Sequence, residues 1–196
     1  SFGTAGIRGK AVLSEGELRE FVKNGPLGKF LKGPNTINAF KLLKTTAGVI
    51  KFARETGRKK IVIGYDSRIG GEEFADMIAR LFIAQSTPEH EFKIFLFDEA
   101  SPFPELSFGI TTEDVKGDIG LLLSASHNPA DYNGYKITLG NGSQLNQKNK
   151  DLVVAGIAQV ENSEIVLAGS LSEAKPGQIV WLGGGEPLDK DYYGFE

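Results

Sequence analysis

A chain of 196 residues, 40% of them hydrophobic and 24% charged, is long enough for one large domain and too apolar to be disordered. A formal net charge of -3 argues against nucleic acid or an anionic membrane as the main partner, while leaving room for a local basic pocket. The absence of cysteine excludes a disulfide framework and thiolate metal sites, and no apolar run is long enough to span a bilayer. We therefore expect a cytoplasmic protein. The chain starts at Ser1 without a methionine and ends in Tyr192-Tyr-Gly-Phe-Glu196, so both ends are expected to be cuts in a longer parent.

In chain order, Ser1-Phe-Gly-Thr-Ala-Gly-Ile-Arg-Gly9 has glycines at every third position. Taken alone it reads as a flexible tail, with Thr4 and Arg8 its only anion-binding side chains. Ser14-Glu-Gly-Glu17 predicts a short capped helix, followed by a loop broken at Gly25-Pro26 and Gly33-Pro34. Ile37, Phe40, Leu43, Ala47 and Ile50 recur at helical steps, and Gly57 closes that helix. Ile61-Val-Ile-Gly-Tyr65 is a buried strand ending in Asp66-Ser67-Arg68. Gly70-Gly71 precede a second helix with Phe74, Met77, Ile78, Leu81 and Phe82 on one face. Phe92–Phe97 is a second strand. Ser101 is expected to cap a third helix with Pro102 in its first turn, and Phe103, Leu106 and Ile110 facing the core.

Ile119–Leu123 is a third strand that ends abruptly in Ser124-Ala-Ser-His-Asn-Pro129. A turn is expected at Asn133-Gly134, then a short fourth strand, Tyr135–Leu139. So short a return implies antiparallel pairing. Asn141-Gly142 is a turn, and Asn146 caps a fourth helix with Val153, Ile157 and Val160 inward. Residues 164–167 and 178–182 read as either strand or loop, and Asp189–Tyr193 as the start of a helix. The expected fold is a three-layer α/β/α domain with a mostly parallel mixed sheet of about four strands, the last antiparallel.

The stretch 121–137 concentrates the chemistry. A buried strand delivers Ser126, His127 and Asn128 to the sheet rim, where ligands of open α/β sheets gather, and Lys136 follows ten residues after Ser126. A serine–histidine hydrolase pair is awkward here, because neighbouring side chains at a strand end point apart and no Gly-x-Ser-x-Gly elbow is present. Phosphoryl transfer, which needs positioning and charge stabilisation, fits better. Arg8, Arg68 and Lys136 are its candidate cations. His90 reads as a surface residue, and there is no nucleotide-binding fingerprint.

Ser124-Ala-Ser-His-Asn-Pro129 with Asn133-Gly-Tyr-Lys136 resembles the phosphoserine signature of the α-D-phosphohexomutase superfamily. Phe2-Gly-Thr-Ala-Gly-Ile-Arg-Gly9, Gly64-Tyr-Asp-Ser-Arg68 and Ser101-Pro-Phe-Pro-Glu-Leu-Ser-Phe108 resemble further segments of it, in the family's order. The form Phe-Gly-Thr-Ala-Gly is closer to the phosphoglucomutase and phosphopentomutase types than to the phosphomannomutase type. The resemblance covers the family's first domain only, giving expected limits of 1–188 for a phosphoserine domain and 189–196 for the start of a connection onward.

That resemblance implies an intramolecular phosphotransferase. Ser126 would pass its phosphoryl group to a hexose or pentose monophosphate, and the resulting bisphosphate would return the other phosphate. Catalytic roles fall on Ser126, His127, Lys136 and Arg8. Phosphate binding falls on Thr4, Arg8, Arg68, Ser126 and Lys136, with Arg68 alternatively bracing the loop through Asp66. A phosphoryl oxygen on Ser126 would be one Mg²⁺ ligand, and a glucose 1,6-bisphosphate-type activator is implied. The partners implied are the sugar phosphate and the remaining domains of the parent. The family's metal loop, Asp-x-Asp-x-Asp-Arg, is absent from this sequence. The fragment alone is therefore expected to lack mutase turnover and to hold no Mg²⁺. The alternative is a stand-alone sugar-phosphate-binding or regulatory module.

Overall fold

In the computed structural model, six strands form one sheet: β1 (Ile7–Lys10), β2 (Lys60–Tyr65), β3 (Lys93–Phe97), β4 (Ile119–Leu123), β5 (Tyr132–Leu139) and β6 (Ile179–Leu182). The structure describes residues 6–11, 16, 19, 20, 23 and 35–183. Ser14 and Glu17 of the expected short helix, Thr4 and the segment 189–196 lie outside the described residues.

The spatial order is β1-β5-β4-β2-β3-β6. Strands β4, β2, β3 and β6 run parallel, and β5 is antiparallel to both of its neighbours, β4 and β1. The parallel strands are apolar on both faces, as a sheet covered by helices on each side must be. Ile61, Ile63, Ile94, Leu96, Ile119 and Leu121 enter the larger core, and the alternate residues Val62, Phe95, Phe97 and Leu122 enter the smaller one.

Helices α1 (Ala39–Glu55), α2 (Gly71–Ala84) and α4 (Gln147–Ala158) cover the larger core, and α3 (Phe103–Gly109) covers the smaller. Helix α1 starts where Asn38 Oδ1 accepts the Lys41 N–H at 2.8 Å, and it is followed by Gly57 in the left-handed region, φ 69°. Its buried stripe includes Leu42, Thr46, Val49 and Ala53, so Phe40 lies on the flank and is 40% exposed rather than in the core. Helix α1 packs closely on α4. A Cβ on Gly48 would stand 2.3 Å from Ile157 Cγ1 and 2.7 Å from the Ile157 nitrogen.

Two glycines of the central strands make the seat for α3. A Cβ on Gly64 would meet Leu106 Cδ1 at 3.1 Å, and one on Gly120 would meet Leu106 Cδ2 at 2.8 Å. Leu106 and Ile110 are fully buried as expected. Ser101 does not cap this helix. The N-cap is Pro102, and Ser101 Oγ donates to the Glu99 carbonyl at 3.1 Å, while its N–H bonds the Tyr65 carbonyl at 2.7 Å.

The sheet corrects three further expectations. Residues 7–10 of the glycine-rich segment are an edge strand on β5, not a tail. Asn133-Gly134 is not a turn but lies within β5, and the reversal is made by residues 126–131. Glycine is needed at 134 because a Cβ there would stand 2.3 Å from the Ser124 carbonyl oxygen and 3.0 Å from that of Ile7. Residues 164–167 form no strand, whereas Ile179–Leu182 do, raising the sheet from about four strands to six.

The α1–α4 contact yields a stability prediction. Replacing Gly48 by valine forces side-chain bulk into the Ile157 backbone, and overpacking of this kind costs about 1–3 kcal/mol. Thermal denaturation should show Gly48→Val melting lower, by about 2–4 °C for each kcal/mol lost.

Candidate active site

The loop between β4 and β5 begins with two small residues, Ser124 and Ala125, both buried. Ser126 follows with φ 54°, a left-handed conformation that costs a non-glycine residue about 1–3 kcal/mol and persists only where its surroundings enforce it. Ser124 Oγ accepts the Ser126 N–H at 3.1 Å, and the Asn128 N–H bonds the Ala125 carbonyl at 3.1 Å. The turn lifts Ser126 and His127 into solvent.

One guanidinium holds the remainder of the loop. Arg68 Nη2 donates to the carbonyls of Ser126 at 2.6 Å and Asn128 at 2.7 Å, and Nη1 donates to those of Pro129 at 2.7 Å and Tyr132 at 3.0 Å. Nε faces Asp66 Oδ2 at 3.3 Å. The four Nη donors of the arginine thus bond backbone carbonyls, and Nε lies within ion-pair distance of Asp66. Of the two roles expected for Arg68, the geometry supports bracing the loop. Its donors do not face outward to bind phosphate. Asp66 also accepts the Arg68 N–H through Oδ1 at 3.1 Å, so the acid fixes both backbone and side chain of its partner.

Lys136 approaches from β5. It pairs with Leu122 of β4, which faces the smaller core, so the lysine lies on the α3 side of the sheet. Its Nζ donates to Ser126 Oγ at 2.6 Å. The residue is only 7% exposed, and burial holds its ammonium below the usual lysine range. Arg8 adds to that depression, as does Arg68 more weakly, while Asp66 opposes it. Arg8 lies opposite Gly134 on β1, two positions from Lys136 on the same face, and is exposed. The missing Cβ of Gly134 lets β1 and the Ser124 carbonyl come close to one another there.

The structure therefore brings Ser126, Lys136, Arg8 and Arg68 to one end of the sheet. His127 is exposed, and among the described residues no hydrogen bond joins it to Ser126, which agrees with the rejection of a hydrolase pair. Asn128 Oδ1 and Asn133 Nδ2 are buried without hydrogen-bond partners among the described residues. Two residues went unassigned in the sequence. Ser124, inside the motif, caps the Ser126 N–H. Phe103, read only as core, places its ring 5.2 Å from Lys136 Nζ. The available signal was its place after a strand end, beside Pro102.

Magnesium does not fit these residues alone. Among the described residues no three histidine, aspartate or glutamate side chains converge on a point. The side chains around Ser126 Oγ are cationic, and the nearby carboxylate, Asp66, is committed to Arg68.

Similarity to known proteins bears on the family and the fold. The family model for phosphoglucomutase/phosphomannomutase, alpha/beta/alpha domain I, matches residues 18–164. A phosphoglucomutase of Staphylococcus aureus strain MRSA252 is 34% identical over 161 residues, covering 82% of this chain and 24% of that protein. The chain thus spans about a quarter of the length of the curated relatives it matches. A crystal structure from Thermus thermophilus, assigned as a phosphomannomutase, superposes with a TM-score of 0.64 at 22% identity, covering 99% of this chain and 34% of that one. A phosphoglucomutase/phosphomannomutase family protein of Burkholderia thailandensis gives a TM-score of 0.51 at 18% identity, covering 81% and 31%. The structural likenesses speak to the fold, and the family-model match to descent. The chain belongs to the phosphoglucomutase/phosphomannomutase family, a family of mutase-type isomerases of carbohydrate metabolism, through its α/β/α domain I.

Proposed function

We propose that Ser126 carries a phosphoryl group, and that this chain is the phosphoryl-bearing domain of an intramolecular phosphotransferase acting on a hexose or pentose monophosphate. The observation that carries the reading is the Lys136 Nζ–Ser126 Oγ hydrogen bond of 2.6 Å, made on a left-handed serine whose loop is clamped by Arg68.

In the forward step a sugar hydroxyl attacks phosphorus on Ser126. The new sugar O–P bond forms and the serine O–P bond breaks; the proton of the sugar hydroxyl passes to a base, for which His127 is the candidate, and Ser126 Oγ takes up a proton, for which Lys136 is the donor at hand. Negative charge grows on Ser126 Oγ as the phosphoryl group leaves, and Lys136 already points a donor at that atom, where preorganised charge is most effective. Arg8 supplies a second cation on the same face, and His127 remains a candidate for proton movement at the sugar. The return step reverses these roles with the other phosphate of the bisphosphate. Thr4 would join Arg8 in holding phosphate.

Mg²⁺ enters this proposal only as an ion that a Ser126 phosphoryl oxygen would help to hold and that would neutralise its charge, with carboxylate ligands supplied from outside the described residues. No step above is routed through it. A glucose 1,6-bisphosphate-type activator, a cytoplasmic setting, further domains in a longer parent and domain limits of 1–188 complete the reading. A sugar-phosphate-binding module without catalysis is the second reading. It is favoured by the exposed Arg8 and by the absence, among the described residues, of converging carboxylates.

Phosphopeptide mass spectrometry of the protein purified from its native host should place one phosphoryl group on Ser126. Ser126→Ala should abolish both label and activity. A phosphate on another serine, with Ser126→Ala fully active, would overturn the reading. Sugar-phosphate binding with no phosphoryl exchange into Ser126 would favour the second. The 196-residue chain alone should show no turnover in a coupled mutase assay.

Arg68→Lys keeps the charge but loses the planar fork. Lysine keeps a charge opposite Asp66 but has three donors for four carbonyls, so we expect a loss of about 1.5–3 kcal/mol, that of a hydrogen bond to a charged group. Phosphoryl transfer to and from Ser126 should fall as much as roughly 100-fold, as for an ångström-scale misplacement of a reacting group. Calorimetry and exchange kinetics of the variant measure both.

A further inference from the structure

Phe103 opens α3, and its position is fixed from below. Gly64 and Gly120 leave the hollow into which Leu106 drops, which sets the helix on β2 and β4. Phe103, one turn earlier, shares that inward face and overhangs the carboxyl end of the sheet. It is half-buried, and packs against the smaller core with one side. Its ring faces the Lys136 ammonium, with 5.2 Å from Nζ to the ring centroid. We infer that Phe103 is a positioning residue for phosphoryl transfer at Ser126, its π face holding the Lys136 ammonium against Ser126 Oγ while its bulk excludes water. The inference rests on the reading of Ser126 as phosphoryl carrier.

Burial alone does not explain an aromatic at this place. An aliphatic side chain would also exclude water, but would give a 7%-exposed ammonium nothing in exchange for its lost hydration. A ring face attracts a cation, and more strongly once both are desolvated. The charged groups around Lys136 make that attraction matter. Arg8 on β1 and Arg68 on the β2–α2 connection both oppose the ammonium, and Asp66 favours it. Asp66 is in turn engaged by Arg68. Phe103 supplies a favourable partner that carries no formal charge. It can therefore neither form a competing ion pair with Arg8 nor repel an incoming phosphate.

The test alters the ring electronics and keeps its shape. Phenylalanine at 103 is replaced by its 4-fluoro and 3,4,5-trifluoro analogues, and by Leu and Tyr. The titration of Lys136 Nζ is followed by NMR in ¹⁵N-lysine-labelled full chain, with the resonance assigned by its loss in Lys136→Met. The midpoint should fall stepwise with fluorination, fall in Phe103→Leu, and stay near wild type in Phe103→Tyr. An unchanged midpoint in the fluorinated chains would overturn the inference, and these isosteric chains decide even if Phe103→Leu fails to fold. In the phosphorylated native-host protein, kcat should drop by roughly 3–30-fold in Phe103→Leu with KM unchanged. A shifted midpoint with unchanged kcat would mean that Phe103 tunes the lysine without positioning it for transfer, and would also overturn the inference. Absence of phosphate from Ser126 would end the functional reading while leaving the titration result standing, so the two failures are separable.

Discussion

The site depends on a single guanidinium. A loop that reverses direction after a left-handed serine turns several carbonyls inward at once, and inward carbonyls without donors are costly. Arg68 satisfies the carbonyls of Ser126, Asn128, Pro129 and Tyr132, one N–H for each. No neutral side chain offers four donors in one rigid plane. The charge this brings into a half-buried site is balanced by Asp66, two residues away on the same connection. Because Arg68 follows β2 and the loop it grips follows β4, the parallel pairing of those strands sets the register of the grip.

With that clamp in place, the site gathers three cations near one serine. Lys136, Arg8 and Arg68 lie at the same end of the sheet, and their mutual repulsion, together with burial, depresses the Lys136 ammonium. A phosphoryl group on Ser126 would add about 1.5 to 2 negative charges near neutral pH, beside the depressed lysine. It would raise the lysine again and relieve the repulsion. A lysine perturbed by burial and by neighbouring cations is the kind of group that clusters at functional sites, which is in keeping with the proposed phosphoryl carrier.

Where periodicity reports burial, the sequence was legible. The parallel strands β2, β3 and β4 are short apolar runs, α1 and α4 start at asparagine caps, and α1 and α2 show their inward stripes, whereas β6 could not be told from loop. Legibility failed where glycine has two meanings. The glycines at 6 and 9 suggested a tail, but Gly6 and Gly9 each lie where a Cβ would collide with backbone, 1.9 Å from the Tyr135 carbonyl oxygen and 2.8 Å from that of Asn35. Asn133-Gly134 has turn composition yet lies in a strand squeezed between two others. Within the site, Ser126 and Lys136 could be paired from their spacing and family likeness. The role of Arg68 could not be decided, because a guanidinium that binds phosphate and one that binds carbonyls look the same in one dimension. Only the path of residues 126–132 distinguishes them.

Fold and site also meet through α3. Gly64 and Gly120 read as weak spots in their strands, since glycine lowers strand propensity. Their effect is to lower the sheet surface enough for Leu106 to settle, and the helix that Leu106 anchors carries Phe103 to Lys136. The chain of dependence runs from two absent side chains in the middle of the sheet to the aromatic neighbour of a lysine at its rim. It also divides the site in two. Lys136, Ser124 and Ala125 are buried and fixed by the core, whereas Ser126, His127 and Arg8 are exposed. A reacting group held from behind and open in front suits exchange with a partner that arrives from outside, as transfer to and from a sugar phosphate requires.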